Sequence, residues 1–111
     1  MAFEIILAPE AAAALKALST PVRTGVTEAM RLHLTHEPTK VSKSRIKRLR
    51  GLSQPQYRLR VDDIRVFYDV TETQVQVLAI VTKAEAQAWL DEQGTPADDD
   101  TESSSPRGGQ G

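Results

Sequence analysis

The 111-residue chain contains no cysteine, which excludes both a disulfide framework and thiolate metal sites. No apolar run approaches the roughly 20 residues needed to span a bilayer, and the first residues carry neither the basic nor the apolar region of a secretion signal. There is no GxxxxGK phosphate loop, so Gly51 reads as a turn glycine. His33 and His36 stand three apart beside Glu37, but no further ligand set accompanies them and His33 falls on an apolar helical stripe. Neither a metal nor another cofactor is therefore expected. No internal repeat is visible. These absences leave a soluble cytoplasmic protein with no membrane association as the expectation.

What is present is ordinary in bulk and unusual in layout. The length suits one domain able to bury its own core, and 40% hydrophobic with 26% charged residues is a globular balance. The formal net charge of −1 hides a segregation. From Lys40 to Arg65 there are nine Lys or Arg against Asp62 and Asp63, a local net of +7. From Asp91 to the end, six acids face Arg107 alone, a local net of −5. The local fields, not the whole-chain charge, decide what such a surface attracts.

The pattern along the chain predicts an α+β fold of order β-α-α-β-β-β-α. Phe3 to Leu7 is β-prone. Pro9 suits the first turn of a helix, Glu10 complements its dipole, and the Ala-rich stretch to Leu18 favours helix strongly. Thr20 and Pro21 restart the chain as N-cap and first helical residue, and Val22, Val26, Ala29, Met30 and His33 recur at helical spacing to about His36. So short a link predicts an antiparallel helical hairpin. Tyr57, Leu59 and Val61 then alternate with Arg58 and Arg60 as a strand, Asp62-Asp63 makes a tight turn, and Ile64, Val66, Tyr68 and Val70 form the apolar face of the next strand. Gln74 to Val81 is apolar on both faces at Leu78 and Ile80, as a central strand should be. Thr82-Lys83-Ala84-Glu85 fits a capping box opening a last helix that Gly94 ends. The expected domain is 1–94, an antiparallel sheet with the helical hairpin on one face. Residues 95–111, rich in Pro, Asp, Ser and Gly, read as a disordered acidic tail whose Asp98 to Asp100 are candidates to screen the basic segment.

Strand alternation gives this pattern a chemical consequence. If Tyr57, Leu59 and Val61 face the helices, Arg58 and Arg60 face away, and Arg65 joins them from the neighbouring strand. Three guanidiniums then share one uncovered sheet face floored by Phe67, Leu78 and Ile80. Such neighbours repel by roughly 1 kcal/mol per pair at a surface dielectric, so an anionic partner is the natural explanation, and Arg offers planar bidentate donors for phosphate. Lys43, Arg45, Lys47, Arg48 and Arg50 upstream extend the charge into a stripe of phosphate scale. The bland alternatives are a solvated loop for the upstream run, and strand arginines paired with Asp62, Asp63, Asp69 or the tail. Tyr57 and Tyr68 fall on the core side and read as packing residues.

Three segments together, Lys47-Arg48-Leu49-Arg50-Gly51-Leu52, Tyr57-Arg58-Leu59-Arg60-Val61 and Ile64-Arg65-Val66-Phe67-Tyr68-Asp69-Val70, resemble the central signature of RelE/ParE-superfamily toxins of type II toxin-antitoxin systems. The Val77 to Val81 strand and the N-terminal hairpin are similar too, so the resemblance covers about residues 3–93. It implies a ribosome-dependent endoribonuclease that cuts translated mRNA through the ribose 2′-hydroxyl. That chemistry requires a base, positive charge on the phosphorane, and an acid for the leaving oxygen. Carried over by position, Arg58 and Arg60 would act on the 2′-hydroxyl proton and the phosphate, and Arg65 on the transition-state charge. Where the RNA-cleaving branch has a late Arg and a Tyr, this chain has Lys83, Ala84 and Trp89. Lys83 would supply charge or simply open the helix. Trp89 would stack on a base or pack in the core. Lys47 and Arg48 would dock ribosomal RNA. The resemblance also implies a cognate antitoxin, within a hetero-oligomer that binds operator DNA through the antitoxin. Two rival implications stand beside the nuclease: a ParE-type DNA gyrase inhibitor, and a non-catalytic antitoxin-binding module.

Overall fold

The structure, a computed structural model, describes residues 2–97. Its elements are β1 (Glu4–Leu7), α1 (Pro9–Ala17), α2 (Thr20–Leu34), β2 (Ile46–Arg48), β3 (Leu52–Gln54), β4 (Tyr57–Val61), β5 (Ile64–Val70), β6 (Gln74–Thr82), α3 (Lys83–Gln93) and β7 (Thr95–Pro96). The α+β architecture, with the two N-terminal helices on one face of the sheet, is as the sequence predicts. The main sheet has the order β1-β6-β5-β4-β2. β4, β5 and β6 form an antiparallel meander, and β2 adds antiparallel to β4.

Four features depart from the expected pattern. β1 lies parallel to β6, Ile5 beside Val75; the chain between them, from α1 to β5, is a long crossover and not a hairpin turn. The basic segment contains β2, only three residues long; Ile-Lys-Arg is too short to show a period and exists by its ladder to β4. Thr95 and Pro96, read from sequence as the start of the tail, pair as β7 with β3 in a separate two-stranded sheet. The remainder of the tail, including Asp98 to Asp100, lies outside the described residues. Last, the sheet's second face is not uncovered, because α3 packs across part of it against β5 and β6.

The core lies between the sheet and the two N-terminal helices. Leu59, Val66, Tyr68, Val75 and Val77 are buried there with Val26, Met30 and Leu34 of α2. Burial of each such side chain contributes about 1.5–3 kcal/mol. Tyr68 anchors this layer: its ring stacks on Tyr57 at 5.5 Å, and its hydroxyl donates to the Pro38 carbonyl at 2.6 Å. Burial, and then the Tyr57 hydroxyl, push the Tyr68 phenol above its usual range. The expectation that both tyrosines pack inward holds.

Register explains why β6 is apolar on both faces. Val66 faces Ile80 and Tyr68 faces Val77, with a shift between Phe67 and Tyr68 that leaves Leu78 as the extra residue. This β-bulge resets the alternation. Ile80 consequently joins the helix-side core, not the floor of the arginine face where strict alternation placed it. Ala79, opposite Phe67, takes that floor position.

The turns fix where the strands end. Asp62 adopts φ 52° at the two-residue link between β4 and β5, a conformation Asp tolerates better than most residues. Gly51 takes φ +76° before β3. α3 starts on the capping box read from sequence: Glu85 N–H donates to Thr82 Oγ1 at 3.3 Å and Thr82 N–H to Glu85 Oε1 at 3.2 Å. It ends at Gly94, whose N–H donates to the Leu90 carbonyl at 2.8 Å. A Cβ there would sit 2.5 Å from that oxygen and 3.2 Å from Leu52 Cδ2, so only glycine lets β7 run back beside β3.

Candidate nucleic-acid interface

The site is built by three short antiparallel strands and one helix. Lys47 of β2 is the cross-strand partner of Arg58 of β4, Arg58 is the partner of Phe67 of β5, and Arg60 is the partner of Arg65. The alternation that buries Leu59 and Val66 against α2 turns these residues to the opposite face. There they meet α3, whose Lys83, Ala86, Gln87 and Leu90 recur at helical spacing along one side. The resulting groove of about 330 Å³ has a cationic rim of Lys47, Arg58, Arg65 and Lys83 and an apolar floor of Leu49, Phe67 and Leu90.

Its electrostatics are unbalanced. Among the described residues, the ion pairs are Arg31 with Glu28 and Lys40 with Glu37, both on the exposed surface. No described carboxylate pairs with Arg58, Arg60 or Arg65. Asp69, on the same face and only 8% exposed, is committed elsewhere: it accepts from Gln54 Nε2 at 2.6 Å and from the Gln56 N–H at 2.8 Å. The alternative that Asp62, Asp63 or Asp69 neutralises the arginines is thus not what the structure holds.

Two arginines are held in different ways. Arg65 is 7% exposed, and its Nη1 donates to the Asp62 and Ile64 carbonyls at 2.8 and 3.1 Å. Those two bonds fix its plane, while Nε and Nη2 make no bond to any described residue. Arg58 is half-buried, and its Nε is buried with no hydrogen-bond partner. Burial first, then the charges of Arg65 and Arg60, lower its pKa from the ordinary arginine value. An unsatisfied buried donor costs about 1–3 kcal/mol. A phosphodiester oxygen matches the donor geometry of a guanidinium.

The remaining candidates from the sequence are scattered. Arg60 is exposed beside the groove, across from Arg65. Arg50 lines an adjoining groove with Lys47, Leu49 and Leu52. Arg48 faces the helix side, over the Tyr57 ring at 5.2 Å, with Nη1 donating to the Gln56 carbonyl at 2.8 Å. Arg45 lines a separate groove with His33, His36 and Lys40; burial, then the Arg45 charge, lowers the His33 pKa. Lys43 is exposed in the loop before β2. Trp89 stacks on Phe67 at 5.2 Å and 9°, which makes it part of the packing between α3 and the sheet. Sequence reasoning missed Leu49, Gln87 and Leu90. The spacing of Lys83, Gln87 and Leu90 on α3 was the available signal, and seeing it required knowing that this helix crosses the arginine face. Among the described residues, no group of His, Asp or Glu is arranged to hold a metal ion, and no helix is long and apolar enough to cross a membrane.

No protein-family model and no curated protein matches this sequence. The chain is similar to a chain in the crystal structure of the archaeal RelE–RelB complex from Pyrococcus horikoshii OT3. The TM-score is 0.61 at 24% identity, and the match covers 75% of this chain and 97% of that one. The fold is therefore RelE-like, an antiparallel meander flanked by an N-terminal helical hairpin and a C-terminal helix.

Proposed function

We propose that this chain is the toxin of a toxin-antitoxin pair and acts as an endoribonuclease on mRNA in the translating ribosome. The carrying observation is the groove itself: four cations, Lys47, Arg58, Arg65 and Lys83, around one cavity with no described carboxylate to neutralise them. The RelE-like fold supports the reading.

In this mechanism the scissile phosphate enters between Arg58 and Arg65, and the neighbouring 2′-hydroxyl attacks the phosphorus while the bond to the 5′-oxygen breaks. Arg65, pre-oriented by two backbone carbonyls, stabilises the pentacovalent charge without reorganising. Arg58, which stays a cation, donates to a phosphate oxygen beside the 2′-hydroxyl, whose proton passes to water as the new bond forms. Lys83 at the start of α3 returns a proton to the leaving oxygen. Arg60 and Arg50 contact flanking phosphates. The partner that silences this groove is an antitoxin segment laying acidic or bulky side chains across it. Translation of a defined message in a cell-free extract tests the reading. The wild-type chain should leave messages cut within codons, and Arg65→Ala should lower the rate by 10² or more. Intact message at every concentration would refute it.

One observation favours a second reading. Among the described residues, the groove is lined by no His, Tyr or carboxylate, the side chains best suited to proton transfer at neutral pH. A protein that grips a nucleic-acid machine without cutting RNA, such as a ParE-type gyrase inhibitor, needs none of them. Inhibition of DNA supercoiling by the purified chain, with translated messages left intact, would select this alternative.

A further inference from the structure

The arginine groove does not end at Leu90. It shares Lys47, Leu49, Gln87 and Leu90 with a second groove of about 620 Å³ that also holds Arg50, Leu52 and Asp91. The two make one trough running along α3. Its charges are Lys47, Arg50, Arg58, Arg65 and Lys83 against Asp91 alone, a net of +4. None of these cations forms an ion pair among the described residues. Asp91 is engaged by Gln87, whose Nε2 donates to its Oδ1 at 3.0 Å.

The chain delivers its own acids to this trough. β7 pairs antiparallel with β3, Thr95 beside Gln54 and Pro96 beside Leu52, and the Ala97 N–H donates to the Gly51 carbonyl at 3.0 Å. The register therefore steps from Gln54 through Leu52 to Gly51, toward Arg50 and Leu49 in the trough wall. Ser53 Oγ, donating to the Thr95 carbonyl at 3.3 Å, helps hold this exit. Beyond Ala97, outside the described residues, come Asp98, Asp99, Asp100 and Glu102 before Arg107, a net of −3 over 98–111.

Reach and charge both match. At about 3.3–3.6 Å per extended residue, Asp100 reaches about 10 Å from Ala97 and Glu102 about 17 Å. Lys47 is four residues from Gly51, so no more than about 14 Å from it. Arg58 is the cross-strand partner of Lys47, about 5 Å further on. Exposed ion pairs are weak singly, but acids tethered by so few residues act at a high effective concentration.

We propose that residues 98–102 occupy the trough in cis, their carboxylates against Arg50, Lys47 and Arg58, so that any polyanion entering the groove must first displace them. The docking itself is independent of what the groove does to RNA; its effect on RNA affinity rests on the reading of the groove as an RNA site.

The chain has no cysteine, so Ser103→Cys in the full chain carries a single nitroxide spin label. In low salt the label should broaden the backbone amide signals of Arg58, Arg65 and Lys83, and leave sharp those of His33 and Arg45 in the separate basic groove. In about 1 M salt, where the screening length falls to about 3 Å, the broadening should vanish. Asp98→Asn/Asp99→Asn/Asp100→Asn/Glu102→Gln on the labelled chain measures the effect of the tether alone, and should keep all three signals sharp. The same four neutralisations should tighten binding of 2′-O-methyl octauridylate at least about fivefold in low salt. Glu10→Gln/Glu28→Gln/Glu37→Gln/Glu72→Gln, which removes as much charge away from the trough, should change it by no more than about twofold. Broadening that is absent in low salt, equal at His33 and Arg45, or unchanged in the neutralised chain overturns the docking. An affinity gain matched by the remote variant overturns the competition. No binding of octauridylate by any of these chains overturns the RNA reading alone, and the spin label still decides the docking.

Discussion

Lys47 and Arg58 are cross-strand partners on the β2–β4 ladder, and the Nε of Arg58 is buried there without an acceptor. Two like charges in register, one of them partly desolvated, oppose folding. Arg58→Leu should raise stability by about 1 kcal/mol, a gain of several degrees in a domain of this size, while lowering RNA affinity. Thermal melting and RNA titration on the same preparation check it. A destabilised variant would mean that Arg58 serves the fold.

Salt dependence should count the cations. Each phosphate contact contributes about −0.7 to the slope of log K against log salt for single strands. Alanine at Lys47, Arg58, Arg65 or Lys83 should each flatten that slope by roughly one contact. Arg48→Ala should not, because Arg48 lies on the other face over Tyr57. An equal effect from Arg48 would spread the site beyond the groove.

Trp89 should behave as a packing residue. It is stacked on Phe67, and an aromatic pair of this kind contributes about 0.5–1.5 kcal/mol beyond its buried area. Trp89→Ala should cost about 2–3 kcal/mol in denaturant unfolding, somewhat less than for a fully buried Trp, and Trp89→Phe should recover most of it. Loss of RNA binding with unchanged stability would assign Trp89 to the ligand instead.

Tyr68 sets the alkaline limit of the fold. Its phenol is raised above the ordinary value of 10.0 by burial and by Tyr57, so the folded state holds this proton more tightly than the unfolded chain. Its contribution is full below pH 10 and is lost as pH rises beyond it. Tyr68→Phe should flatten stability against pH above that point. It should also cost about 1–3 kcal/mol at neutral pH, because the Pro38 carbonyl loses its donor. An unchanged alkaline slope would place the sensitivity elsewhere.

The arginine face was legible in the sequence because a period of two leaves no freedom: once Leu59 and Val66 are inside, Arg58 and Arg65 are outside together. The capping box at Thr82 and the inward tyrosines were legible for equally local reasons. What was not legible depended on partners distant in sequence. The bulge at Leu78 exists only against Phe67 and Tyr68, so strict alternation puts Ile80 on the wrong face. β2 exists only through β4, and β7 only through β3 and the close approach at Gly94. The crossing of α3 over the arginine face converts an open sheet into a groove. The β2 pleat, visible only once β2 is paired with β4, puts Lys47 in that groove and Arg48 on the opposite side.

Whether this groove acts on RNA during translation is tested most directly by primer extension on a translated message, in bacterial cells expressing the chain alone. Wild-type expression should arrest growth and give stops within codons, and the Arg58→Ala/Arg65→Ala double variant should give neither. Growth arrest by the wild-type chain over a message that stays intact would contradict that action.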